Sequence, residues 1–261
     1  MSHNKYPIYI PSHSRADACK SALACEELGL DFTIVVEPSQ YKAYRKNFHK
    51  DNIQMLAHDG MGIAYKRNKI IKMAKSGGHK AHWQIDDKVG KFYRRNSENK
   101  IVEVPIVKLI TALEKEFDRY EDLAVIGPGI TAFARKFTND YSYSTFPYSC
   151  WLQRTENMPK FRPETLDDAD YAMQLNLRGE CVMRSNIYLR NTCTAGKTKG
   201  GNSVKSKRDI DALNEKVAKA VEYSEGMLVL AKDKRKDGVW DVKPIKRLSL
   251  LFPQRPTLKK R

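Results

Sequence analysis

The sequence has no C-x-x-C pair, no long apolar run and few acids for its number of bases. Its five cysteines, Cys19, Cys25, Cys150, Cys181 and Cys193, are odd in number and widely spaced. That excludes a zinc ribbon and a disulfide framework, and leaves buried or idle thiols of a reducing compartment. Apolar runs such as Met227-Leu-Val-Leu-Ala231 are far too short to span a bilayer. The opening MSHNKYPIYI lacks an apolar signal core followed by a small-residue cleavage site. A soluble, cytoplasmic protein with no membrane partner is expected. No glycine-rich phosphate-loop consensus is present either, and no internal repeat.

What is present is positive charge. Lys and Arg number 47 against 31 Asp and Glu, a net charge of +16 in 261 residues. A field of that sign attracts polyanions and speeds their association. Nucleic acid leads, because phosphate neutralisation by Lys and Arg supplies most non-specific affinity; an acidic membrane or plain solubilising charge is the alternative. The excess is uneven: from Asn191 onward, 18 Lys and Arg face 8 Asp and Glu. Hydrophobic residues make up 41% of the chain. That is enough for one large α/β domain, or a domain with an appendage.

The pattern along the chain alternates strand and helix. Pro7 to Pro11 reads as a strand ending at a proline, then a Ser12 to Arg15 loop and a helix to about Leu28, capped by Ser14 or Asp17. Phe32 to Val36 is a β-branched run suited to a strand buried on both faces. A helix follows over Ser39 to Phe48, then a short strand at Ile53 to Leu56. A helix over Gly62 to Lys75 is stopped by Gly77-Gly78. A strand from His82 to Ile85 closes on Asp86-Asp87. Further on come a helix at Ile106 to Tyr120, a strand at Leu123 to Ile126 and a Tyr/Ser/Thr-rich segment at Thr138 to Ser149, read as a surface loop or edge strand. A helix at Leu166 to Leu177, a strand at Cys181 to Ile187 and a helix at Ile210 to Tyr223 follow, with a hairpin around Lys236-Asp-Gly238. Such alternation means βαβ units and a parallel sheet, whose ligands sit at the carboxyl ends of the strands. The Ser12 to Arg15 loop, Glu37 and Asp86-Asp87 all fall at such ends.

A strand-end pair of acids such as Asp86-Asp87 is able to hold one divalent cation, with substrate phosphates and water completing an octahedron. It is equally able to be a pair of loop acids. Arg67 offers a bidentate fork for phosphate, on a helix made basic by Lys66, Lys69 and Lys72. Asp167-Asp168 fits a helix start, where an acid meets the positive end of the dipole.

In order along the chain, PIYIPSHSRA, IVVEP, GIAYKRNKI, HWQIDDKV, DDADYAMQLNLRG and GKTKGGN resemble a glycosyltransferase of the GT-A fold. More narrowly they resemble the TET-associated glycosyltransferase family of phage enzymes that decorate modified DNA bases. The resemblance covers roughly residues 6 to 205. It implies an α/β fold with a GT-A-like, Rossmann-type, mostly parallel sheet flanked by helices. A catalytic domain over 1–208 would divide into a nucleotide-sugar half, 1–100, and an acceptor half, 101–208. A basic helix-and-hairpin extension, 209–261, would pack on it.

The resemblance also implies roles. Pro11, Ser12, Arg15 and Glu37 would contact the donor nucleoside, with Arg67 and Asn68 near its ribose or phosphates. Asp87, supported by Asp86, would hold Mn²⁺ or Mg²⁺ on the diphosphate of a nucleotide-sugar. Asp168 would be the general base, with Asp167 next and Asp170 third. Many GT-A enzymes place a late histidine on the metal or diphosphate, yet all six histidines here precede residue 83. Lys197 and Gly200, in the glycine-rich loop, would replace it. Lys205, Lys207, Arg208, Lys234 and Arg235 would meet the phosphates of double-stranded DNA carrying hydroxymethylated bases. Tyr141, Tyr143, Phe146, Tyr148 and Trp151 would stack on a flipped base, or simply be core aromatics. Two other readings stay open: a GT-A enzyme with a glycan or protein acceptor, and a non-catalytic nucleic-acid-binding protein.

Overall fold

The computed structural model describes residues 4–136, 138–191, 207–232, 234, 238–240, 242–244 and 255–259. Its centre is a ten-stranded mixed sheet flanked by helices. The first strands are β1 (Ile8–Pro11), β2 (Phe32–Val36), β3 (Ile53–Met55) and β4 (Ala81–Ile85), all parallel in the order β3-β2-β1-β4. This is the expected βαβ half. Helices α1 (Lys20–Glu27), α2 (Pro38–Tyr44) and α3 (Gly62–Ser76) make its crossovers. The order runs outward from β1 to β3 and then jumps back to β4. The carboxyl ends of β1 and β4 therefore flank a topological switch point, the usual crevice for a ligand.

The rest of the sheet runs in mixed directions. A hairpin, β5 (Phe92–Arg95) with β6 (Ile101–Val104), lies at the far edge. After α4 (Ile106–Phe117) come β7 (Leu123–Ile130), β8 (Tyr141–Tyr143), β9 (Cys150–Arg154), α5 (Asp167–Leu177) and β10 (Cys181–Arg190). Strand β9 lies antiparallel between β4 and β7, while β7 and β10 are parallel. The sequence pattern had not shown β5, β6 or β9. The Tyr/Ser/Thr-rich segment supplies the edge strand β8, antiparallel to β10. The chain continues with α6 (Lys207–Glu222) and an antiparallel pair, β11 (Leu228–Leu230) with β12 (Val242–Pro244). No helix among the described residues is long and apolar enough to cross a membrane.

Two faces of the sheet are buried, as its continuous apolar strands require. One core gathers Ile8, Ile10, Ile34, Trp83, Leu109 and Leu113 beneath α1 and α4. Glu114 of α4 reaches into it and accepts from the Trp83 indole at 3.0 Å and the Tyr6 amide at 3.1 Å. These bonds tie α4 to the start of β1 and to β4. A second core packs Phe146, Trp151, Phe161 and Tyr171 under α5, with Phe161 and Tyr171 stacked at 3.8 Å.

Helix starts differ from the sequence expectation. Helix α1 begins only at Lys20, and no side chain caps it. Ser14 instead takes a left-handed turn (φ 55°), its amide bonded to Gln40, and Asp17 accepts from Asn47. The helix thus gives up its expected cap to a turn that shapes the loop after β1. Helix α5 is not capped by its aspartates: Leu166 holds the cap position, and Asp167, Asp168 and Asp170 form the first turn. Acids in a first turn still lie at the positive end of the helix.

Candidate active site

The loop after β1 meets the end of β4 through hydrogen bonds that leave little freedom. Ser12 donates its hydroxyl to Asp87 at 2.6 Å and lies 2.6 Å from the Tyr44 hydroxyl. The Arg15 guanidinium pairs with the other oxygen of Asp87, and the Arg15 amide bonds Tyr44. Lys66, buried on α3, donates to the Ser12 carbonyl at 2.7 Å. Burial pulls its ammonium pKa down, while Glu37 and Asp87 oppose that. Glu37, buried at the end of β2, pairs with His13 at 2.9 Å. Ser12, Arg15, Glu37 and Asp87 thus line the switch point, tied to one another or to neighbouring side chains.

Arg67 joins this half to the other. It follows Lys66 on α3 and is only 2% exposed. Its guanidinium lies over the Trp151 ring, 4.6 Å from the centroid. It donates to Asp86 at 2.9 Å, to Asp167 at 2.9 Å and, more weakly, to Asp168 at 3.5 Å. One cation therefore gathers a strand-end acid and two helix-start acids. Asp86 is held below its usual range despite burial, by Arg67 first and then Lys88. Asp168 is pushed up to about 8, chiefly by burial and then by the Asp167 carboxylate beside it. A raised carboxyl in a cleft suits a group that accepts a proton near neutral pH. Nearby, the Asp86 amide donates to the Ser149 carbonyl at 2.8 Å, which anchors the Asp-Asp turn to the start of β9.

The model of the family described as TET-Associated Glycosyltransferase matches residues 6–201. The chain belongs to the TET-associated glycosyltransferase family. No curated protein matches it. Among solved structures, this family member is similar to GalNAc-T7 with UDP, GalNAc and Mn²⁺, at 8% identity and a TM-score of 0.47. That match covers 84% of this chain and only 48% of the other, so the chain spans about half its length. A197 from STIV matches at 10% identity and a TM-score of 0.37, over 77% and 99% of the two chains. Mannose-1-phosphate geranyltransferase from Thermus thermophilus matches at 14% and 0.33, over 69% and 57%. Likenesses this distant carry no weight on chemistry; membership rests on the family match.

In this TET-associated glycosyltransferase the anticipated residues divide into groups. Pro11 ends β1 at the crevice, and Ser12, Arg15, Glu37, Arg67, Asp86, Asp87, Asp167 and Asp168 gather around it. Asn68 does not face that crevice: its amide is used at both ends on the Phe161 main chain, at 2.8 and 2.9 Å. Asp170 is enclosed by Arg162, through two bonds, and by Gln174. Phe146 and Trp151 are buried in the core. Tyr141 and Tyr143 sit on β8 and Tyr148 just before β9, all half-buried. Lys207 and Arg208 are exposed at the start of α6, and the Lys234 ammonium lies 5.1 Å from the Trp240 ring centre. Lys197, Gly200, Lys205 and Arg235 lie outside the described residues. Lys66, Tyr44 and Ser149 were not singled out from the sequence. For Lys66 the signal was there: it shares a helical face with the buried Ile70 and Ala74.

Proposed function

We propose that this chain transfers a sugar from a nucleotide-sugar, of the UDP-sugar class, to the hydroxyl of a modified base such as 5-hydroxymethylcytosine in DNA. The observation that carries the reading is the Arg67 junction. It holds Asp86, at the donor end of the sheet, beside Asp167 and Asp168, at the acceptor side. Inverting displacement requires a base at the acceptor oxygen, and a carboxylate at the donor end is able to hold a cation that offsets the diphosphate. Family membership supports the transfer, and the +16 charge supports a polyanionic acceptor.

In this reading Ser12, Arg15 and Glu37 bind and orient the nucleoside. The acceptor oxygen bonds to the anomeric carbon as that carbon's bond to the diphosphate oxygen breaks. The acceptor proton passes to the Asp168 carboxylate, whose raised pKa of about 8 lets it hold the proton once taken. Among the described residues no three His, Cys, Asp or Glu form a metal cluster. A cation shared with a diphosphate needs only one or two carboxylates, and the oxygen donors Asp86 and Asp87 fit that requirement. Bound there, Mn²⁺ or Mg²⁺ would offset charge on the diphosphate.

The test is direct. The protein is incubated with Mn²⁺ or Mg²⁺, a panel of UDP-sugars and duplex DNA containing hydroxymethylated pyrimidines, and the digested nucleosides are weighed. Added pentose or hexose mass establishes donor and acceptor together, and Asp168→Asn is expected to lower the rate by about 10²–10⁴-fold. Donor hydrolysis without added mass moves the acceptor elsewhere. Neither hydrolysis nor donor binding leaves a basic binding protein.

A further inference from the structure

Arg190 ends β10 with its guanidinium enclosed and no acid beside it. The residue is 5% exposed. Nε donates to the Tyr148 carbonyl at 2.8 Å, and Nη1 to the Asn191 carbonyl at 3.0 Å. Four other arginines have an acid partner: Arg15 with Asp87, Arg67 with Asp86 and Asp167, Arg154 with Glu180, Arg162 with Asp170. Arg190 forms no ion pair among the described residues. Removing a cation from water without a counter-ion costs several kcal/mol, which two carbonyls offset only in part. Such a cation is a place for an anion. The remaining nitrogen, Nη2, bonds no described residue, and it is not among the sealed polar atoms.

Its position says which anion. Tyr148, which carries Arg190, precedes Ser149, which carries the Asp86 amide. Ser149 adopts a left-handed backbone, φ 65°, between the two anchors. The next residue, Cys150, feels both charges: burial raises its thiol pKa, Arg190 opposes the rise and Asp86 adds to it. Arg190 and Asp86 thus both lie against one short segment. We infer that Arg190 binds a phosphate oxygen of the donor's diphosphate, opposite Asp86. The inference rests on the proposed function and adds a residue to it. A phosphate of duplex DNA reaches cations on an open surface; a slender diphosphate enters a cleft. As the sugar leaves, the electron pair of the broken carbon–oxygen bond stays on the diphosphate. A guanidinium already fixed by two carbonyls meets that charge without rearranging.

Titration calorimetry with UDP plus Mn²⁺, inorganic diphosphate and uridine tests this on the full chain. Arg190→Gln is expected to weaken UDP and inorganic diphosphate by about tenfold or more, the loss of a charge-assisted bond, and to leave uridine and duplex DNA binding unchanged. If wild type binds neither UDP nor inorganic diphosphate, the proposed function fails and the inference with it. If wild type binds them and Arg190→Gln binds equally well, the inference alone fails. Loss of duplex binding with UDP binding intact also overturns it. Should Arg190→Gln not melt cooperatively, Arg190→Lys carries the test. It is expected to weaken UDP and not uridine, and equal weakening of both overturns the inference.

Discussion

At the scale of single residues, Arg67 and His82 show how burial sets the terms. Arg67 is enclosed with three acids and an aromatic face. Its Nη1 is sealed without a hydrogen-bond partner, and the ion pairs and the Trp151 ring hold the guanidinium in place. Arg67→Met leaves Asp86 and Asp167 without their cation, and a stability loss of roughly 3–5 kcal/mol is expected in urea denaturation. Arg67→Lys keeps the charge but not the fork that spans two carboxylates. It should melt closer to wild type and still lose transfer; wild-type transfer by the lysine variant would show that charge alone suffices. His82 sits fully enclosed on β4, bonded to Thr155, and burial pushes its imidazole down to about 3. Unfolded, the ring titrates near about 6.5. Between those values the unfolded chain binds the extra proton, so stability falls as pH falls and is fully kept above the upper value. From about pH 6.5 to about pH 5 the loss is about 2 kcal/mol from this group. Urea midpoints across that range check it, and a His82→Gln variant should show a shallower slope.

At the scale of elements, much of the parallel half from β1 to β4 was legible and much of the rest of the sheet was not. β1, β2, α3 and β4 are continuous or periodic apolar segments with Pro and Gly at their ends, and sequence shows those directly. β5 (FYRR) is half charged, and β6 (IVEV), though mostly apolar, is only four residues long, so neither stands out as a strand. β9 follows a Tyr/Ser/Thr-rich stretch and inserts antiparallel where a βαβ pattern expects a parallel neighbour. The acid pairs were legible as candidates; their shared partner was not. Arg67 lies 19 residues from Asp86 and 100 from Asp167, and only the folded sheet brings the three together. The same insertion makes β7 crowd β9. A Cβ at Gly127 would meet the Cys150 carbonyl at 2.4 Å and Pro147 at 2.7 Å. Gly127→Ala must displace that backbone, at a cost of about 1–3 kcal/mol. Because Ser149 and Asp86 hang on the same segment, donor affinity should fall along with the urea midpoint. A variant that loses stability yet binds UDP as wild type does would separate this strand from the site.

At the scale of the molecule, charge and site chemistry divide the surface. The crevice gathers Asp86, Asp87, Asp167 and Asp168, their charge offset in part by Arg15 and Arg67. More than half of the excess of Lys and Arg falls from Asn191 onward in the sequence. On the proposed function, an anionic polymer is drawn to the basic chain as a whole, and a neutral base swung from the stack is the part that enters the crevice. Helix α6 itself mixes both signs: Lys207, Arg208, Lys216 and Lys219 alternate with Asp209, Asp211, Glu215 and Glu222. Lys219 is also engaged with Glu164. On the proposed function, duplex contacts fall at the start of that helix, where Lys207 and Arg208 are exposed, and not along its whole length. If several phosphates are neutralised at once, duplex affinity should fall by about 10³-fold between about 50 and 200 mM salt, as counterion release requires. Lys207→Ala with Arg208→Ala should reduce the slope of log affinity against log salt by about 1–2, with UDP binding unchanged. Fluorescence anisotropy over a salt series measures both. A flat salt dependence would remove DNA as the acceptor's carrier and return the positive charge to a solubilising role.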